Sequence, residues 1–342
     1  MSTIDHPVIP KGSTVLVTAA NGFIASNIAD QFLKLGYKVR GTTRNPQRNA
    51  WLLNLFDRKY GPGNFEFVVV EDMKLDGAYD QAAKGVSAII HTATNVKMNP
   101  NPHHMVTETV AGTLNALSAA AAEPTVKRVV LTSSSAAALI PKPNNPLEVS
   151  AETWNDESVA AAFRAPPYEP ERGYYVYAAS KTLAEKEAWK FMREKRPAFV
   201  LNTVLPNLTL GASLDSVSQG HASTSGMLAE LFRGNPTPLA SLPAQNFVDI
   251  EDCALLHVAA AIDPDVQSER IFAFAAPVNG DGILAVLRKL YPDRTFPADF
   301  QSERDLSDIV LRKRAEALLR GMGQSGWTSL EESVRRNTED LM

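Results

Sequence analysis

The chain has 342 residues, of which 44% are hydrophobic and 21% charged, a composition typical of folded rather than disordered proteins. Lysine and arginine total 34 against 38 aspartates and glutamates, so the net charge is 34 − 38 = −4. That charge does not suit a protein that coats nucleic acid or an anionic membrane. The single cysteine, Cys253, excludes an internal disulfide and a metal site built from several thiolates. No apolar run has the length of a membrane span or a signal-peptide core, so we expect a soluble, cytoplasmic protein.

The first 135 residues alternate between two kinds of pattern. Apolar residues recur at helical spacing, and short runs rich in β-branched residues lie between them. The predicted helices are 23–35 and 110–122, and the predicted strands are 14–18, 38–42, 65–70, 88–91 and 129–132. Short apolar strands separated by helices indicate a parallel sheet covered on both faces. The expected fold class is therefore α/β, with a Rossmann-type doubly wound parallel sheet.

The pattern becomes irregular in the second half of the chain. Six prolines fall within residues 141–172, which we interpret as a surface excursion before a helix that begins near Tyr175. A strand is predicted at 199–205, and later helices at 284–290 and 306–321. These later elements do not alternate regularly, which indicates a smaller, irregular C-terminal region.

A tight turn joins the first strand to the first helix, with the sequence TAANGFIA over residues 18–25. A helix N-terminus at such a turn presents unpaired backbone N–H groups and a positive dipole end to an anion. Dinucleotide-binding turns usually contain several glycines, whereas this one has only Gly22, so a plain strand-to-helix turn remains an alternative on spacing alone. If the turn holds a pyrophosphate, the contacting residues are Thr18, Ala20, Asn21, Gly22, Phe23 and Ile24.

The second strand discriminates between NAD and NADP. NAD binding places an acidic residue near the end of this strand, about 20 residues after the turn. Residues 31–56 contain no Asp or Glu. The basic residues in this window are Lys34, Lys38, Arg40, Arg44 and Arg48. Guanidinium groups without a competing carboxylate suit a 2′-phosphate, so turn and window together predict NADPH/NADP; the alternative for the window alone is a solvated basic face.

Tyr177 and Lys181 are one turn apart on the same face of a predicted helix. An ammonium beside a phenol lowers the phenol pKa, which makes tyrosine a better acid near neutral pH. Ser134 follows the fifth strand, where it could hold a carbonyl oxygen opposite Tyr177, although Ser133 and Ser135 are adjacent alternatives. The spacing alone also fits an ordinary aromatic and basic helix face. The position after a parallel strand favours a catalytic site, because such sheets bind ligands at the carboxyl ends of their strands.

Several stretches carry a family resemblance, among them VLVTAANGFIAS, YKVRGTTR, VKRVVLTSS and VYAASKTLAE. The chain resembles the extended short-chain dehydrogenases/reductases, in the branch of dihydroflavonol reductases and fungal NADPH-dependent aldehyde and ketone reductases. The similarity is greatest to the yeast aldehyde reductase II type of carbonyl reductase, and it extends to about Phe300. It implies hydride transfer from NADPH to an aldehyde or ketone. In that reaction Tyr177 would donate the proton, Lys181 would bind the nicotinamide ribose and lower the tyrosine pKa, and Ser134 would orient the carbonyl.

The same resemblance implies further cofactor contacts. Arg40 and Arg44 would bind the 2′-phosphate, and Asp72 and Met73 would line the adenine. Along the cofactor would lie Thr92 and Ala93, with Pro206 and Asn207 near the nicotinamide. The chain departs from its relatives at Ala19, where they usually have glycine, so the turn is expected to be strained.

We expect two domains. Residues 1–205 would form the NADP-binding domain, to which 247–275 return, and residues 206–246 and 276–342 would form the smaller substrate-binding domain. Apolar side chains in the irregular regions indicate a pocket for a bulky or aromatic carbonyl compound. The predicted pocket residues are Leu139, Leu208, Met227 and Leu242, with Leu214 and Phe247 nearby, and Gln245 is added on the resemblance alone.

The remaining candidates indicate no metal site. His91 is interpreted as a packed strand-end residue, His103 and His104 as part of a surface loop, and Cys253 as a buried thiol. Two alternative functions are a nucleotide-sugar epimerase or dehydratase on the same fold and a non-catalytic NADP-sensing regulatory protein. The expected partner is a small carbonyl compound, with no nucleic acid or membrane, and the expected state is a monomer or homodimer.

Overall fold

The computed structural model describes residues 4–342, which form twelve strands, twelve α-helices and three short 3₁₀ helices. The strands are β1 (Thr14–Val17), β2 (Lys38–Thr43), β3 (Phe65–Val69), β4 (Ala88–His91), β5 (Arg128–Thr132), β6 (Leu147–Val149), β7 (Val200–Pro206), β8 (Leu208–Leu210), β9 (Gln245–Asp249), β10 (Arg270–Ala273), β11 (Ala276–Val278) and β12 (Ser307–Ile309).

The helices lie between these strands. They are α1 (Phe23–Lys34), α2 (Ala50–Tyr60), α3 (Asp80–Ala83), α4 (Pro102–Ala122), α5 (Asp156–Ala162), α6 (Gly173–Lys195), α7 (Ser223–Phe232), α8 (Thr237–Ala240), α9 (Ile250–Ile262), α10 (Gly280–Leu290), α11 (Arg312–Gly321) and α12 (Leu330–Thr338). The 3₁₀ helices are Ser135–Ala137, Pro170–Arg172 and Glu339–Leu341. No helix within residues 4–342 is both long and apolar enough to cross a membrane.

Seven strands form one parallel sheet in the order β10-β7-β5-β4-β1-β2-β3. The predicted α/β class with a Rossmann-type sheet is therefore confirmed. The order reverses between β1 and β4, and parallel sheets bind ligands in the crevice beyond the carboxyl ends of the strands at such a point.

Helices cover both faces of this sheet. Apolar residues of α1, α2, α9 and α11 pack on one face, and those of α3, α4 and α6 pack on the other. The strands have apolar side chains on both faces for this reason, as in other buried parallel sheets. The packing fixes the carboxyl edge of the sheet between two rigid layers.

A second apolar cluster lies outside the large sheet. Strands β11, β9 and β8 form a three-stranded sheet, and α7, α10 and α12 pack against it around Leu228, Phe232, Phe247 and Leu284. Strand β10, by contrast, pairs with β7 at one edge of the large sheet.

One prediction of regular structure was wrong in the irregular regions. Residues 306–321 form strand β12 followed by α11 rather than one helix, because β12 pairs in parallel with β6. The excursion at 141–172 contains β6 and α5, and the side chain of Asn155 caps α5 by accepting a hydrogen bond from the Ser158 amide.

Helix α4 begins eight residues earlier than the predicted helix at 110–122. Pro102 occupies its first turn, where its fixed φ is favourable, and Asn101 accepts a hydrogen bond from the amide of His103 at 3.0 Å. His103 and His104 are therefore exposed residues of a helix, and their interpretation as a loop was wrong.

Candidate active site and nucleotide-binding turn

The structure brings Ser134, Tyr177 and Lys181 together just beyond the end of β5. The side chain of Ser134 caps a 3₁₀ turn by accepting the amide of Ala136, and the Tyr177 hydroxyl lies 3.5 Å from the Ser134 Oγ. Lys181 follows one turn later on α6, where its Nζ donates to the Thr132 carbonyl at 2.9 Å. The strand end and the helix thus place three groups of complementary chemistry around one point.

Burial raises the pKa of Tyr177, an effect that the hydrogen bond with Ser134 partly opposes. Burial lowers the pKa of Lys181 to about 8, and the nearby carboxylate of Glu185 opposes that change. The expected lowering of the tyrosine pKa by Lys181 is not found. In this structure the loss of hydration is the dominant effect on the phenol, which therefore stays protonated and keeps a proton to donate.

The neighbouring serine, Ser133, has a different environment. Its hydroxyl donates to Glu185 at 2.7 Å, and Thr203 donates to the same carboxylate at 2.8 Å. The hydroxyl of Ser134, and not that of Ser133, therefore lies beside Tyr177. Glu185 sits one turn after Lys181 on α6, and this spacing in the sequence was the one available signal for it.

Arg270 completes this buried cluster, and nothing in the sequence pointed to it. Its Nε and Nη2 donate to the two Glu185 oxygens at 2.8 and 3.2 Å. Its Nη1 donates to the carbonyls of Ala151 and Thr153, and its guanidinium stacks 3.8 Å from the ring centroid of Trp154. One side chain from β10 thus joins α6 to the 141–172 excursion.

The turn after β1 has the strained geometry that Ala19 implied. Ala19 adopts a φ of 49°, in the left-handed region, which costs a non-glycine residue roughly 1 kcal/mol. Its amide donates to the Thr42 hydroxyl, and the amide of Ala20 donates to the Thr42 carbonyl. A Cβ on Gly41 would lie only 2.6 Å from that of Ala20, so the turn and β2 require glycine there.

The free amides of this turn suit an anion. Gly22 donates to the Ala19 carbonyl, but the amides of Asn21, Phe23 and Ile24 have no hydrogen-bond acceptor within residues 4–342. Three unpaired N–H groups at the N-terminus of a twelve-residue helix are an arrangement that favours an anion such as a phosphate group. Of the six residues predicted for this turn, Asn21, Phe23 and Ile24 thus have free amides, whereas Thr18, Ala20 and Gly22 use theirs within the protein.

Thr18, Thr92 and Ala93 are brought together by one hydroxyl group. The Thr18 Oγ1 accepts the amides of Thr92 and Ala93, each at 2.9 Å, and lies 3.2 Å from the His91 Nδ1. Thr92 in turn donates to the Thr18 carbonyl. Burial lowers the pKa of His91 to about 3, so this ring is neutral and acts as a packed residue at the strand end.

The two arginines predicted to bind the 2′-phosphate differ. Arg40 donates to the Glu66 carboxylate at 2.6 Å and to the carbonyls of Ala82 and Lys84. It precedes the end of β2 by three residues, or roughly 10 Å of extended strand, so the structure does not support a phosphate contact for Arg40. Arg44 lies just past the strand end, exposed and without a side-chain partner in the described part of the chain.

Four further predicted cofactor residues follow the carboxyl ends of strands. Asp72 and Met73 come after β3: the Asp72 carboxylate caps the Lys74 amide, and the Met73 carbonyl accepts from Asn115. Pro206 ends β7, and the side chain of Asn207 accepts the amide of Leu208. They therefore lie at the sheet edge where Ser134, Tyr177 and the turn after β1 also lie.

The predicted pocket residues divide into groups. Leu208, Leu242 and Gln245 line a small cleft, and Met227 packs on the same apolar cluster. Leu139 lies apart, in a cluster with Leu205 and Phe272. Gln245 is the first residue of β9. The cleft lining does not include Ser134 or Tyr177, so the structure does not join the cleft to these two candidate residues.

Comparison with known proteins assigns the chain to a family. The sequence profile of the NAD dependent epimerase/dehydratase family matches residues 15–273. The chain belongs to this family. The resemblance to extended short-chain dehydrogenases/reductases is thereby confirmed.

Within residues 4–342 no group of three or more His, Cys, Asp or Glu side chains could hold a metal ion.

Several family members match this chain over nearly its whole length. Aldehyde reductase 2 of Sporidiobolus salmonicolor is 46% identical over 338 residues, 98% of either chain. Ketoreductase adrE of Penicillium rubens is 42% identical over 340 residues, again 98% of either chain. The structure of Gre2 from Candida albicans in complex with NADPH is 26% identical, with a TM-score of 0.81, and covers 97% of this chain and 98% of that one.

Proposed function

We propose that this protein is an NADPH-dependent carbonyl reductase that converts an aldehyde or ketone to an alcohol. The observation that carries the proposal is the hydroxyl of the partly buried Tyr177, which lies 3.5 Å from the Ser134 Oγ at the carboxyl edge of the sheet. The reductase names of the relatives support this function over the epimerase/dehydratase and the NADP-sensing alternatives.

The residues at the sheet edge fit NADPH. Free amides at Asn21, Phe23 and Ile24 suit its pyrophosphate, and the exposed Arg44 suits its 2′-phosphate, since no carboxylate falls within residues 31–56. When bound, NADPH supplies the hydride that reduces the carbonyl carbon. Thr92, Ala93, Asp72, Met73, Pro206 and Asn207 are proposed to line the same crevice.

The chain's own part in the reaction is to handle the substrate oxygen. A carbonyl oxygen placed between Tyr177 and Ser134 accepts hydrogen bonds from both hydroxyls, which stabilise the negative charge that develops there. Tyr177 then transfers its proton to that oxygen, and the alcohol forms. Lys181, held by the Thr132 carbonyl, places a positive charge near the site and is proposed to bind the nicotinamide ribose.

The substrate is proposed to be bulky or aromatic, because the nearby irregular segments are apolar. The residues proposed to line the pocket are Leu139, Leu208, Met227, Leu242 and Gln245. We also propose that residues 206–246 and 276–342 form the substrate-binding domain, and that residues 1–205 and 247–275 form the NADP-binding domain. We further propose a cytoplasmic location, from the single buried thiol of Cys253, and a monomeric or homodimeric state.

NADPH oxidation measured against a panel of aldehydes, diketones, β-ketoesters and aryl ketones tests the function. We expect turnover with NADPH, little with NADH, and a loss of about a thousandfold in kcat for Tyr177→Phe. The Tyr175→Phe variant, an exposed tyrosine of the same helix, is the control and should retain activity. Near-normal reduction by Tyr177→Phe would contradict the mechanism, and a preference for NADH would contradict the cofactor assignment.

A further inference from the structure

The loop that follows β8 reaches across to the nucleotide-binding turn. This segment, the 211–222 loop, is tied at its start to α12, where the Gly211 amide donates to the Asn337 Oδ1 at 3.0 Å. Near its end the His221 Nε2 lies 3.1 Å from the Asp340 carboxylate. The loop is therefore anchored on the C-terminal part of the chain, far in sequence from the turn that it touches.

Internal hydrogen bonds give the 211–222 loop a defined shape. Asp215 accepts the amides of Val217 and Ser218 through its carboxylate and the amide of Gln219 through its carbonyl. The Ser213 hydroxyl donates to the Gly220 carbonyl at 2.6 Å. These contacts present Gln219 at a fixed position, while Val217 at the tip is 94% exposed.

Gln219 uses both ends of its amide group. Its Nε2 donates to the Asn21 carbonyl at 3.2 Å and to the Ser26 hydroxyl at 2.9 Å, and its Oε1 accepts the Leu214 amide at 3.2 Å. The first two partners flank the free amides of the turn. Gln219 thus connects the loop to the start of α1 from a separation of almost 200 residues in the sequence.

Gln219 and the strained Ala19 both bind the peptide group between Asn21 and Gly22. The peptide joining Asn21 and Gly22 has its carbonyl held by Gln219 and its N–H held by the Ala19 carbonyl at 2.9 Å. Ala19 itself has a φ of 49°, which alanine adopts only when surrounding contacts hold it there. Gln219 provides one of those contacts from outside the turn.

We propose that Gln219 is a positioning residue for NADPH, which holds the alanine-containing turn in the conformation that receives the pyrophosphate. The inference rests on the proposed NADPH binding at this turn. A glycine at position 19 would adopt the left-handed conformation without strain and would need less external support. The chain thus supports a left-handed alanine with a hydrogen bond from a loop that is distant in the sequence.

The coupling between the two positions provides the test. The dissociation constant of NADPH is measured by fluorescence titration for Gln219→Ala, made both in the natural chain and in an Ala19→Gly background. We expect about tenfold weaker binding in the natural background, as for the loss of two neutral hydrogen bonds, and a change below about threefold beside Gly at position 19. The KM for NADPH should rise in step, while kcat at saturating NADPH stays unchanged.

Two further variants separate this role from a general effect on the loop. Val217→Ala in the same loop should leave NADPH binding unchanged. Gln219→Glu keeps the acceptor for the Leu214 amide but removes the donor, so it should weaken binding at least as much as Gln219→Ala. It provides the measurement in case Gln219→Ala folds poorly. Equal losses in both backgrounds, or unchanged binding by Gln219→Ala, would overturn the inference and leave the proposed function standing. Failure of the natural chain itself to bind NADPH would contradict the proposed function and, with it, this inference.

Discussion

The catalytic part and the nucleotide-binding part of the site are held by different kinds of contact. Around Ser134 and Lys181, buried side chains do the holding: the Glu185 carboxylate accepts hydrogen bonds from Ser133, Thr203 and Arg270. At residues 18–25, by contrast, the groups that are held belong to the main chain: the amides of Ala19 and Ala20 donate to Thr42, and the amide of Gly22 donates to the Ala19 carbonyl. Proton donation needs hydroxyls at fixed positions, whereas a pyrophosphate needs several N–H groups pointing one way, and each part has the contacts its task requires.

The two parts should therefore respond differently to mutation. A buried ion pair adds little net stability, but removal of one partner leaves the other charge buried without compensation. A partly exposed turn loses less when one contact is removed, because water replaces it. We expect the catalytic part to show its defects in folding and the nucleotide-binding part to show them in cofactor affinity.

Removal of the Arg270 guanidinium should have the largest effect. Arg270→Met keeps the apolar stem but leaves the carboxylate of Glu185, which is fully buried, without its cation. We expect a loss of about 3 kcal/mol in the free energy of unfolding, measured by urea denaturation with fluorescence and activity as separate probes.

The Arg314–Glu269 pair provides the matched control for Arg270. It has similar two-point geometry, at 2.7 and 3.0 Å, but the side chain of Arg314 is 37% exposed. Arg314→Met should cost less than about 1 kcal/mol, because exposed ion pairs contribute little. Equal losses of unfolding free energy for the two variants would contradict the expected difference between the buried ion pair of Arg270 and the more exposed one of Arg314.

Substitutions of Arg40, which lies in β2, and of Arg44, which lies just after it, should weaken cofactor binding to different extents. Arg44→Ala removes a charged hydrogen-bond donor from the expected 2′-phosphate position, so we expect about thirtyfold weaker NADPH binding and little change for NADH. Arg40→Ala removes contacts to Glu66, Ala82 and Lys84, and it should leave NADPH binding within about twofold. Titration of each variant with both cofactors makes the measurement.

The reverse order would change the assignment at β2. If Arg40→Ala lost NADPH affinity and Arg44→Ala did not, the contacts of Arg40 with Glu66 and Ala82 would have to give way when the cofactor binds. In that case the phosphate site would extend toward α3 rather than beyond the end of β2.

The elements around the site were predictable where the signal was local. The β-branched run of β1 and the helical spacing of α1 depend on neighbours in the sequence, and so does the one-turn separation of Tyr177 and Lys181. Arg40 and Arg44 were both basic residues of one window, and only the end of β2 at Thr43 distinguishes them. The sequence alone did not show how far each arginine lies from the end of the strand.

Contacts between distant segments could not be predicted. Arg270 reaches Glu185 across 85 residues, and Gln219 reaches Asn21 across 198. Strand β12 has only three residues and forms because β6 lies beside it, so no periodicity in 306–321 revealed it. Similarly, α4 begins at Pro102 because a single Asn101 side chain caps it, and the spacing of apolar residues carries no information about that.

The charge of Glu185 should also be detectable in the pH dependence of the reaction. Burial lowers the pKa of Lys181 to about 8 and Glu185 opposes that change, so the ammonium is present below about pH 8 and is lost as the pH rises through that value. The proton donor Tyr177 does not limit this range, because its pKa is raised. We expect kcat/KM for NADPH to fall above about pH 8, and Glu185→Gln to move that fall to lower pH by roughly half a unit, since the opposing charge is gone. Glu187→Gln, on the same helix but nearer the solvent, is the control and should leave the profile in place. A fall that stayed at the same pH in Glu185→Gln would mean that the buried cluster fixes the position of Lys181 without influencing its charge, and a fall that moved to higher pH would contradict the stated effect of Glu185.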